Sequence, residues 1–310
     1  MPEIPKVIVN PAAGQGAAGR AWPGIEAKLR GALGPIDVSI TTHAGAETDL
    51  TRQGVADGFR HFIAVGGDGT MNGVLNGMMA DSQPINDKVR LSVIPAGTSN
   101  ELTRALGVHG DQDGAIAAIA AGGEQRFDLL QADCLDLDDN NHRHYGVLAV
   151  SWGGAAEIVY RTNNSRYLKK LGGRFSYYVN TLLVTLSYPN RHCDLIIDDQ
   201  HMTDVLHYSG LICNLEMLGG GMRLAPNADP RDGIADFLFF RDIARKDIIL
   251  QKPSWLFEGH HIKHPKVDYM RGRNFVVTGA REALVDADGE TIGRLPLAVK
   301  TLKQALPLIG

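Results

Sequence analysis

Cysteine is scarce in this 310-residue chain, which contains only Cys134, Cys193 and Cys213. The three lie far apart in apolar, strand-like runs, with neither the spacing of a zinc site nor that of a disulfide framework. We therefore expect three buried thiols, a reducing compartment and a cytoplasmic protein.

Long apolar runs and an excess of basic charge are also missing. The N-terminal sequence MPEIPKVIVNP lacks the apolar stretch of a signal peptide, and no window approaches a membrane-spanning length, so any membrane contact should be peripheral. The net charge of −4 leaves no electrostatic footprint for nucleic acid. The chain does have a hydrophobic fraction of 44%, and its length is enough for two compact domains.

Strands and helices alternate in the first third of the chain. The apolar runs KVIV (6–9), VSITT (38–42), FIAV (62–65) and LSVIP (91–95) each lead into a loop and then a helical stretch. This alternation predicts a parallel sheet covered on both faces, with ligands bound at the carboxyl ends of its strands.

After Asp128 the pattern changes to strand-like segments joined by turn residues. Two helical stretches, at 175–188 and 243–258, interrupt them. The pattern predicts an antiparallel sandwich or barrel. The expected fold is therefore an α/β N-terminal domain with a parallel sheet, followed after residue 128 by a β-rich domain.

The first glycine-rich loop has two interpretations. Gly14-Gln-Gly16-Ala-Ala-Gly19 matches the GxGxxG pattern of dinucleotide-binding oxidoreductases, but the nearest acid, Asp37, precedes the second apolar run instead of closing it. As Asn10-Pro11-Ala-Ala-Gly14, the same loop favours phosphate binding, because glycine lets backbone amides approach a phosphate closely.

Two further loops follow the third and fourth strands. In AVGGDGT (64–70), glycines bring backbone close to a nucleotide, and Asp68 stands where a magnesium-linked carboxylate would help; a tight turn capped by Asp68 is the alternative. In IPAGTSNE (94–101), polar side chains at a helix start would either cap that helix or hold a ribose or phosphate.

The segment VDADGE (285–290) contains two carboxylates, Asp288 and Glu290, two positions apart. In an extended strand they would share one face. The alternative is a β-turn between two strands, for which Asp-Gly is the common signature. The residues alone leave both interpretations open.

Together these motifs resemble the diacylglycerol kinase catalytic family, which includes sphingosine kinases and bacterial soluble lipid kinases. The resemblance covers nearly the whole chain, and the order and spacing of five segments fit the family: NPAAG (10–14), GGDGT (66–70), PAGTSNE (95–101), GGGMRLAPNADPRDG (219–233) and DGE (288–290). It implies an ATP-binding domain of residues 1–128 and 294–310, a β-rich lipid-substrate domain of residues 129–293, and an active site in the cleft between them.

The activity that the resemblance implies is the transfer of phosphate from ATP, with Mg²⁺, to a hydroxyl of a diacylglycerol-like or sphingoid lipid. Nucleic acid is not an expected partner, and a homodimer is compatible with the resemblance. An NAD kinase, which shares the GGDGT loop, is the enzymatic alternative, although 219–233 and the terminal DGE argue against it. A catalytically silent nucleotide- or lipid-binding protein is the other.

The resemblance also assigns residues to ATP and to catalysis. Asp288 matches the general base of bacterial members, whereas the sphingosine branch gives that role to the aspartate matching Asp68, and Glu290 matches a magnesium-side carboxylate. The residues expected around ATP are Asn10, Gly14, Thr41 or Thr42, Gly66, Gly67, Asp68, Gly69, Thr70, Thr98 and Glu290.

The resemblance further implies a separate magnesium ion at the turn ADPRDG (228–233). Its ligands would be the Asp232 side chain and the carbonyl oxygens of Asp229 and Ile234. All-oxygen ligation suits a hard cation. A proline-aspartate-glycine turn without an ion is the alternative.

Three features depart from the family pattern or add to it. Glu101 stands where the family usually has aspartate, and Gln15 stands where a basic residue is common. A basic run, Arg161 to Arg174, contains five cations and no acid. It would either face anionic headgroups at a membrane or form a solvated surface.

Overall fold

The computed structural model describes residues 4–97, 99–107, 111–165, 173–249 and 254–310. The chain forms two compact units: the first contains Met1–Leu129 and Lys303–Gly310, and the second contains Leu130–Leu302. The expected domain boundary at 128 lies beside the observed one. Residues 294–302, expected in the first domain, lie in the second unit, because the long last strand pairs there with its neighbours before it reaches the first unit.

The first unit alternates strands and helices. Its strands are Lys6–Val9 (β1), Asp37–Ile40 (β2), His61–Gly66 (β3), Met79–Ala80 (β4), Gln83–Pro84 (β5) and Arg90–Pro95 (β6). Its helices are Ala13–Leu33 (α1), Ala46–Ala56 (α2), Asp68–Met78 (α3), Glu101–Ala105 (α4) and Gln112–Ala121 (α5). Helix α2 begins at Ala46, after Gly45 in a left-handed conformation.

The strands of this unit form the predicted parallel sheet, in the order β2-β1-β3-β6. Alternate side chains of β3 point to opposite faces. Ile63 packs in a cluster with Trp22 and Leu29 of α1, whereas the Phe62 ring lies against Gly54 of α2. Helices therefore cover both faces, as the sequence predicts.

The second unit is rich in antiparallel strands. Glu124–Leu135 (β7) leads into it, and Glu290–Ile309 (β16) leads back to the first unit. Its other strands are Asn141–Gly146 (β8), Ala149–Gly153 (β9), Arg191–Ile197 (β10), Gln200–Cys213 (β11), Ala235–Arg241 (β12), Val267–Gly272 (β13), Asn274–Thr278 (β14) and Leu284–Ala287 (β15). Its helices are Gly154–Asn164 (α6), Gly173–Ser187 (α7), Arg245–Ile249 (α8) and Ser254–Phe257 (α9), followed by a 3₁₀ turn at His260–Lys263.

An aromatic core holds the second unit together. The indole of Trp152 stacks on Phe237 at 5.8 Å between ring centroids, and Phe239 and Phe275 extend the same cluster. The indole nitrogen donates to His207 Nε2 at 3.0 Å, which satisfies the polar atom of the indole within the core. The predicted fold class, a parallel α/β domain followed by a β-rich sandwich-like domain, is confirmed.

All three cysteines are free and buried, as predicted. Burial raises the pKa of Cys134 to about 11 and that of Cys193 to about 12, so both thiols are protonated and unreactive. Within the described part of the chain, no helix is both long enough and apolar enough to cross a membrane.

Candidate active site

Three loops of the first unit lie at the carboxyl ends of neighbouring parallel strands. They follow β1, β3 and β6, which are adjacent in the sheet. The loops contact one another through glycine: a Cβ on Gly14 would lie 2.6 Å from the Ala96 carbonyl oxygen, and a Cβ on Gly67 would lie 3.1 Å from the Gly97 Cα. The sheet order thus brings together loops that are far apart in sequence.

The first loop turns back through three left-handed residues, Gly14 (φ 59°), Gln15 (φ 56°) and Gly16 (φ 82°), before α1 continues. Asn10 holds its start, because its Oδ1 accepts the Ala12 amide at 3.0 Å. Consecutive amides in such a turn form a concave site for an anion. Gln15 stands where the family resemblance expects a basic residue. It brings no charge to the loop, and its backbone adopts the strained left-handed conformation.

Glu47 is a residue of this site that the sequence interpretation missed. It is 4% exposed in the first turn of α2, and its Oε1 accepts the Asn10 side-chain amide at 2.9 Å. A Cβ on Gly73 would lie 2.8 Å from the Glu47 Cβ, so α3 passes close beside it. The only sequence signal was an acid at the start of a helix, which more often serves the helix dipole.

The second loop presents an uncapped helix end. Gly67 precedes α3 in an extended conformation, and no side chain caps the helix. The first amides of α3 are therefore suited to an anion such as phosphate. A Cβ on Gly66 would collide with Thr70, which explains glycine at that position.

Asp68 links the second loop to the third. Its Oδ1 accepts the Glu101 amide at the start of α4, at 2.9 Å. The Glu101 side chain is 3% exposed and lies 3.8 Å from Arg104 Nε, so the carboxylate that replaces the family aspartate points into the unit. Asn100 adopts a left-handed conformation (φ 52°), and its side chain exchanges hydrogen bonds with the Gly97 backbone at 3.1 Å.

The remaining nucleotide candidates of the first unit have different surroundings. Thr41 is buried at the end of β2, where its amide donates to the Val9 carbonyl at 2.9 Å, whereas Thr42 is exposed. Gly69 is exposed in the first turn of α3. Thr98 lies outside the described residues.

The Asp-Gly pair of the second unit is a hairpin turn. Asp288 (φ 52°) and Gly289 (φ 88°) both have positive φ, and Ala287 pairs with Glu290 across the turn between β15 and β16. Positive φ at both central residues is the type I′ pattern. The two carboxylates therefore do not share a strand face: Asp288 is 7% exposed and Glu290 is exposed.

Three backbone amides bind the Asp288 carboxylate. Oδ2 accepts the Val147 amide at 2.8 Å, and Oδ1 accepts the amides of Leu148 at 2.8 Å and Ala149 at 3.1 Å. A Cβ on Gly146 would lie 2.9 Å from Oδ1, so glycine leaves room for the carboxylate there. These hydrogen bonds fix its orientation.

Asp286, two residues earlier, is a buried carboxyl that the sequence interpretation did not single out. Ser151 Oγ donates to its Oδ2 at 3.1 Å, and the side chain is 6% exposed. Burial, opposed by that hydrogen bond and reinforced by the charges of Asp288 and Glu290, raises its pKa well above the ordinary value. The signal in the sequence was an acid inside an apolar strand, which is uncommon without a partner.

The turn at 228–233 is held by an arginine. Asp232 Oδ1 accepts the Ile234 amide at 2.9 Å, and Asp232 Oδ2 pairs with the Arg271 guanidinium. The Arg271 Nε also lies 3.4 Å from Oδ2 of the fully buried Asp236. Both Asp232 oxygens thus have donors within the chain, so this turn does not fit the expected magnesium ion unless Arg271 moves. No group of three or more metal-ligating side chains occurs among the described residues.

The basic run that begins at Arg161 is described only in part. Arg161 pairs with Glu157 at 2.7 Å, which satisfies its charge on α6. Arg166, Lys169 and Lys170 lie outside the described residues.

Two family models match the chain. A model described as the diacylglycerol kinase catalytic domain matches residues 5–132, and one described as the YegS C-terminal NAD kinase β-sandwich-like domain matches residues 148–310. Among curated proteins, a diacylglycerol kinase of Staphylococcus carnosus is 27% identical over 96% of this chain and 92% of its own length. One of Staphylococcus aureus is 28% identical over 98% and 91%.

Solved structures show the same fold. A diacylglycerol kinase from Bacillus anthracis superposes with a TM-score of 0.70 at 22% identity, covering 99% of this chain and 96% of its own. A yeast NADH kinase in complex with NADH gives a TM-score of 0.54 at 10% identity, covering 100% and 84%. At these identities the structural similarity concerns the fold alone.

Proposed function

Because this chain belongs to the diacylglycerol kinase family, with that family's catalytic domain followed by a YegS-type C-terminal domain, we propose that it transfers the γ-phosphate of ATP to a hydroxyl group of a lipid. The observation that carries the proposal is the meeting of three loops, which approach one another at glycines, beside the uncapped start of α3. A site built from backbone amides and close-approach glycines suits the phosphates of a nucleotide.

In this proposal the first unit binds ATP. The amides of the left-handed turn at 14–16 and of the first turn of α3 donate to phosphate oxygens. Asn10 acts by holding its loop, because both ends of its side-chain amide bind within the chain, to Ala12 and to Glu47. When bound, Mg²⁺ would neutralise charge on the phosphates, and the carboxylates of Asp68 and Glu290 are oxygen ligands of the kind it prefers.

We assign the general base to Asp288, with Asp68 as the alternative. The base accepts the proton of the lipid hydroxyl while the hydroxyl oxygen attacks the γ-phosphorus and the bond to ADP breaks. Three backbone amides hold the Asp288 carboxylate in one orientation for that proton transfer. Such help is typically worth about a hundredfold to ten-thousandfold in rate.

The lipid acceptor would be met at a membrane surface, and helix α7 supports this part of the proposal. Its inward positions are small or polar at Ser176 and Asn180, whereas the outward positions Tyr178, Leu182 and Leu186 are 59%, 49% and 49% exposed. The outward residues are spaced by four and so lie along one stripe. An apolar stripe facing away from the protein is typical of helices that lie on a bilayer.

The test is a phosphate-transfer assay with radiolabelled ATP and Mg²⁺, against a panel of diacylglycerols, sphingoid bases and NAD. The wild type should phosphorylate at least one lipid alcohol, and Asp288→Asn should reduce the rate at least a hundredfold. Transfer that survives in Asp288→Asn and fails in Asp68→Asn would assign the base to Asp68.

Folding must be measured beside activity, because Asp288 also holds backbone. An asparagine has one acceptor oxygen, so at least one of the three amides would face its NH₂ group at a cost of about 1–3 kcal/mol. Rates are therefore compared at a temperature where thermal unfolding shows both proteins to be folded. A rate that falls only in proportion to the unfolded fraction would remove Asp288 from the mechanism.

The fold similarity to a yeast NADH kinase makes NAD phosphorylation the second candidate function. Phosphorylation of NAD with no lipid product would replace the proposal. A protein that binds ATP and phosphorylates neither NAD nor any lipid alcohol of the panel would be a nucleotide-binding member of the family without kinase activity.

A further inference from the structure

A cavity of about 310 Å³ lies at the opposite end of the first unit's sheet from the three loops. Arg60, which precedes β3, and Arg90, which opens β6, both line it. The candidate nucleotide loops follow the other ends of these two strands, after Gly66 and Pro95. The cavity is therefore separated from them by the length of a strand, and the proposed kinase reaction does not use it.

The cavity wall carries an excess of positive charge. Six charged side chains line it: the basic Arg60, Lys88, Arg90 and Arg126, and the acidic Asp87 and Glu124. The excess is therefore two positive charges. The whole chain has a net charge of −4, so this concentration of cations is local. A concave cationic surface raises the local concentration of anions.

Strand pairing brings two of the arginines together. The Arg90 amide donates to the Arg60 carbonyl oxygen at 2.7 Å, and Arg90 pairs in register with His61 on β3. The Arg60 guanidinium is held by the carbonyls of Val55 at 3.1 Å and Phe59 at 2.8 Å. These acceptors orient Arg60 without neutralising it, and among the described residues it has no ion pair. An anion bound between the two guanidinium groups would offset their mutual repulsion.

The other cations of the cavity come from β7 and from the loop before β6. Arg126 Nε lies 3.3 Å from Glu124, so one of the two acids already has a partner. Lys88 is exposed and forms no ion pair with a carboxylate in the described part of the chain. Pro307 of β16 supplies a buried, apolar part of the wall.

We propose that this cavity binds a phosphate-bearing anion, at a site separate from the proposed nucleotide site. Guanidinium groups match the oxygens of a phosphate with paired hydrogen bonds, and a lysine adds a mobile point charge. Pockets that hold small ligands start at about 300 Å³, so the volume suits a phosphate ester or a lipid headgroup.

A neighbouring histidine is consistent with positive charge at this end of the sheet. His61 Nε2 lies 2.9 Å from Ser92 Oγ. Burial, together with the charge of Arg90, lowers the His61 pKa to about 4. His61 is therefore neutral at pH 7 and adds no charge of its own.

The first experiment titrates the full chain with pyrophosphate by calorimetry. A saturating non-hydrolysable ATP analogue is present, so the proposed nucleotide loops are occupied. We expect one pyrophosphate site to remain. The double variant Lys88→Glu/Arg126→Glu should bind pyrophosphate at least tenfold more weakly, because hydrogen bonds to charged groups are worth about 1.5–3 kcal/mol each. The matched control is Arg52→Glu, an exposed cation on α2, which should bind like the wild type.

A second arm distinguishes the source of the phosphate. Wild type and double variant are sedimented with vesicles containing phosphatidic acid and with purely zwitterionic vesicles. If the ligand is a lipid headgroup, the double variant also loses binding to the anionic vesicles. If it is a free phosphate compound, only pyrophosphate binding is lost. Equal pyrophosphate affinity in wild type and double variant, or no binding by the wild type at millimolar concentration, would overturn the proposal.

Discussion

Asp286 and Asp288 are two residues apart, yet their surroundings differ. Backbone amides surround Asp288 and stabilise its negative charge. Asp286 has one hydroxyl donor, and burial raises its pKa well above the ordinary value. The raised pKa of Asp286 keeps the negative charge of the hairpin lower than its three acids suggest.

The raised pKa of Asp286 predicts a stability effect with a definite sign. Below about pH 4 the carboxyl is protonated in both the folded and the unfolded chain. Above that pH the unfolded chain loses the proton and the folded chain keeps it. The free energy of unfolding therefore falls as the pH rises toward the folded pKa, by at most about 1.4 kcal/mol per pH unit from this group.

Asp286→Asn should remove that slope and keep the fold, because asparagine resembles the protonated acid in shape and charge. Denaturant unfolding of both proteins between pH 4 and pH 8 measures it. Asp199→Asn, at an exposed position of the same unit, is the control and should keep the wild-type profile. Identical slopes in wild type and Asp286→Asn would mean that the folded protein ionises Asp286 as readily as the unfolded chain does.

Among the secondary-structure elements, α1 offers a matched pair of glycines. Gly14 is left-handed and a Cβ there would lie 2.6 Å from the Ala96 carbonyl oxygen, whereas a Cβ on Gly24 would meet nothing within 4 Å. Gly14→Ala should lose about 1–3 kcal/mol of stability and weaken ATP binding, because the loop must move. Gly24→Ala should be neutral or more stable by up to about 1 kcal/mol. Thermal unfolding and nucleotide titration measure the stability and the ATP affinity of both variants. Equal values for the two variants would contradict the close contact between Gly14 and Ala96.

The turn at 228–233 depends on a strand far along the chain. Arg271 of β13 pairs with Asp232 and lies beside the fully buried Asp236. Removing one partner of such a pair leaves a poorly compensated charge. We expect Arg271→Gln to lose about 1–3 kcal/mol and to regain part of it in millimolar Mg²⁺ or Ca²⁺, which would bind the freed carboxylates.

Two controls accompany the metal experiment: the wild type, and a variant of a second paired arginine. In the wild type without nucleotide, the unfolding midpoint should be the same in EDTA and in Mg²⁺. Arg241→Gln removes a half-exposed pair with Asp268 on the same two strands, and should cost less than about 1 kcal/mol without any metal response. A wild-type midpoint that falls in EDTA would restore the magnesium ion that the family resemblance implies.

For the whole molecule, the question is how it reaches a lipid substrate. Helix α7 exposes three leucines, Leu182, Leu183 and Leu186, where an ordinary surface helix carries polar side chains. Leu182→Ser/Leu186→Ser should reduce sedimentation with phospholipid vesicles by about tenfold or more, because each leucine has about half of its surface to bury.

Val276→Ser, which changes an exposed apolar residue of β14, is the control and should sediment like the wild type. Activity toward a short-chain, water-soluble lipid separates binding from chemistry. It should be unchanged in the leucine variant, whose inward face is intact. Equal vesicle binding by wild type and leucine variant would exclude this stripe as the membrane contact.

Patterns that are local in sequence determined the fold class and the loops. The alternation of apolar runs and helical stretches predicted the parallel sheet, and with it the loops at the carboxyl ends of its strands. The alternation of side chains along a strand and the conformational freedom of a glycine depend on only a few neighbouring residues. They can therefore be recognised in the sequence before the fold is known. The extent of α7 and the burial of the three thiols follow from the same kind of signal.

What only the tertiary structure decided was the surroundings of individual side chains. The amides that hold Asp288 lie 139 to 141 residues before it, and Arg271 lies 39 residues after Asp232. No repeating pattern in the sequence connects residues so far apart. They meet because β-strands pair across the second unit. The sequence by itself therefore determined the family and the loops at the strand ends, and strand pairing decided which carboxylates are buried and which donors they meet.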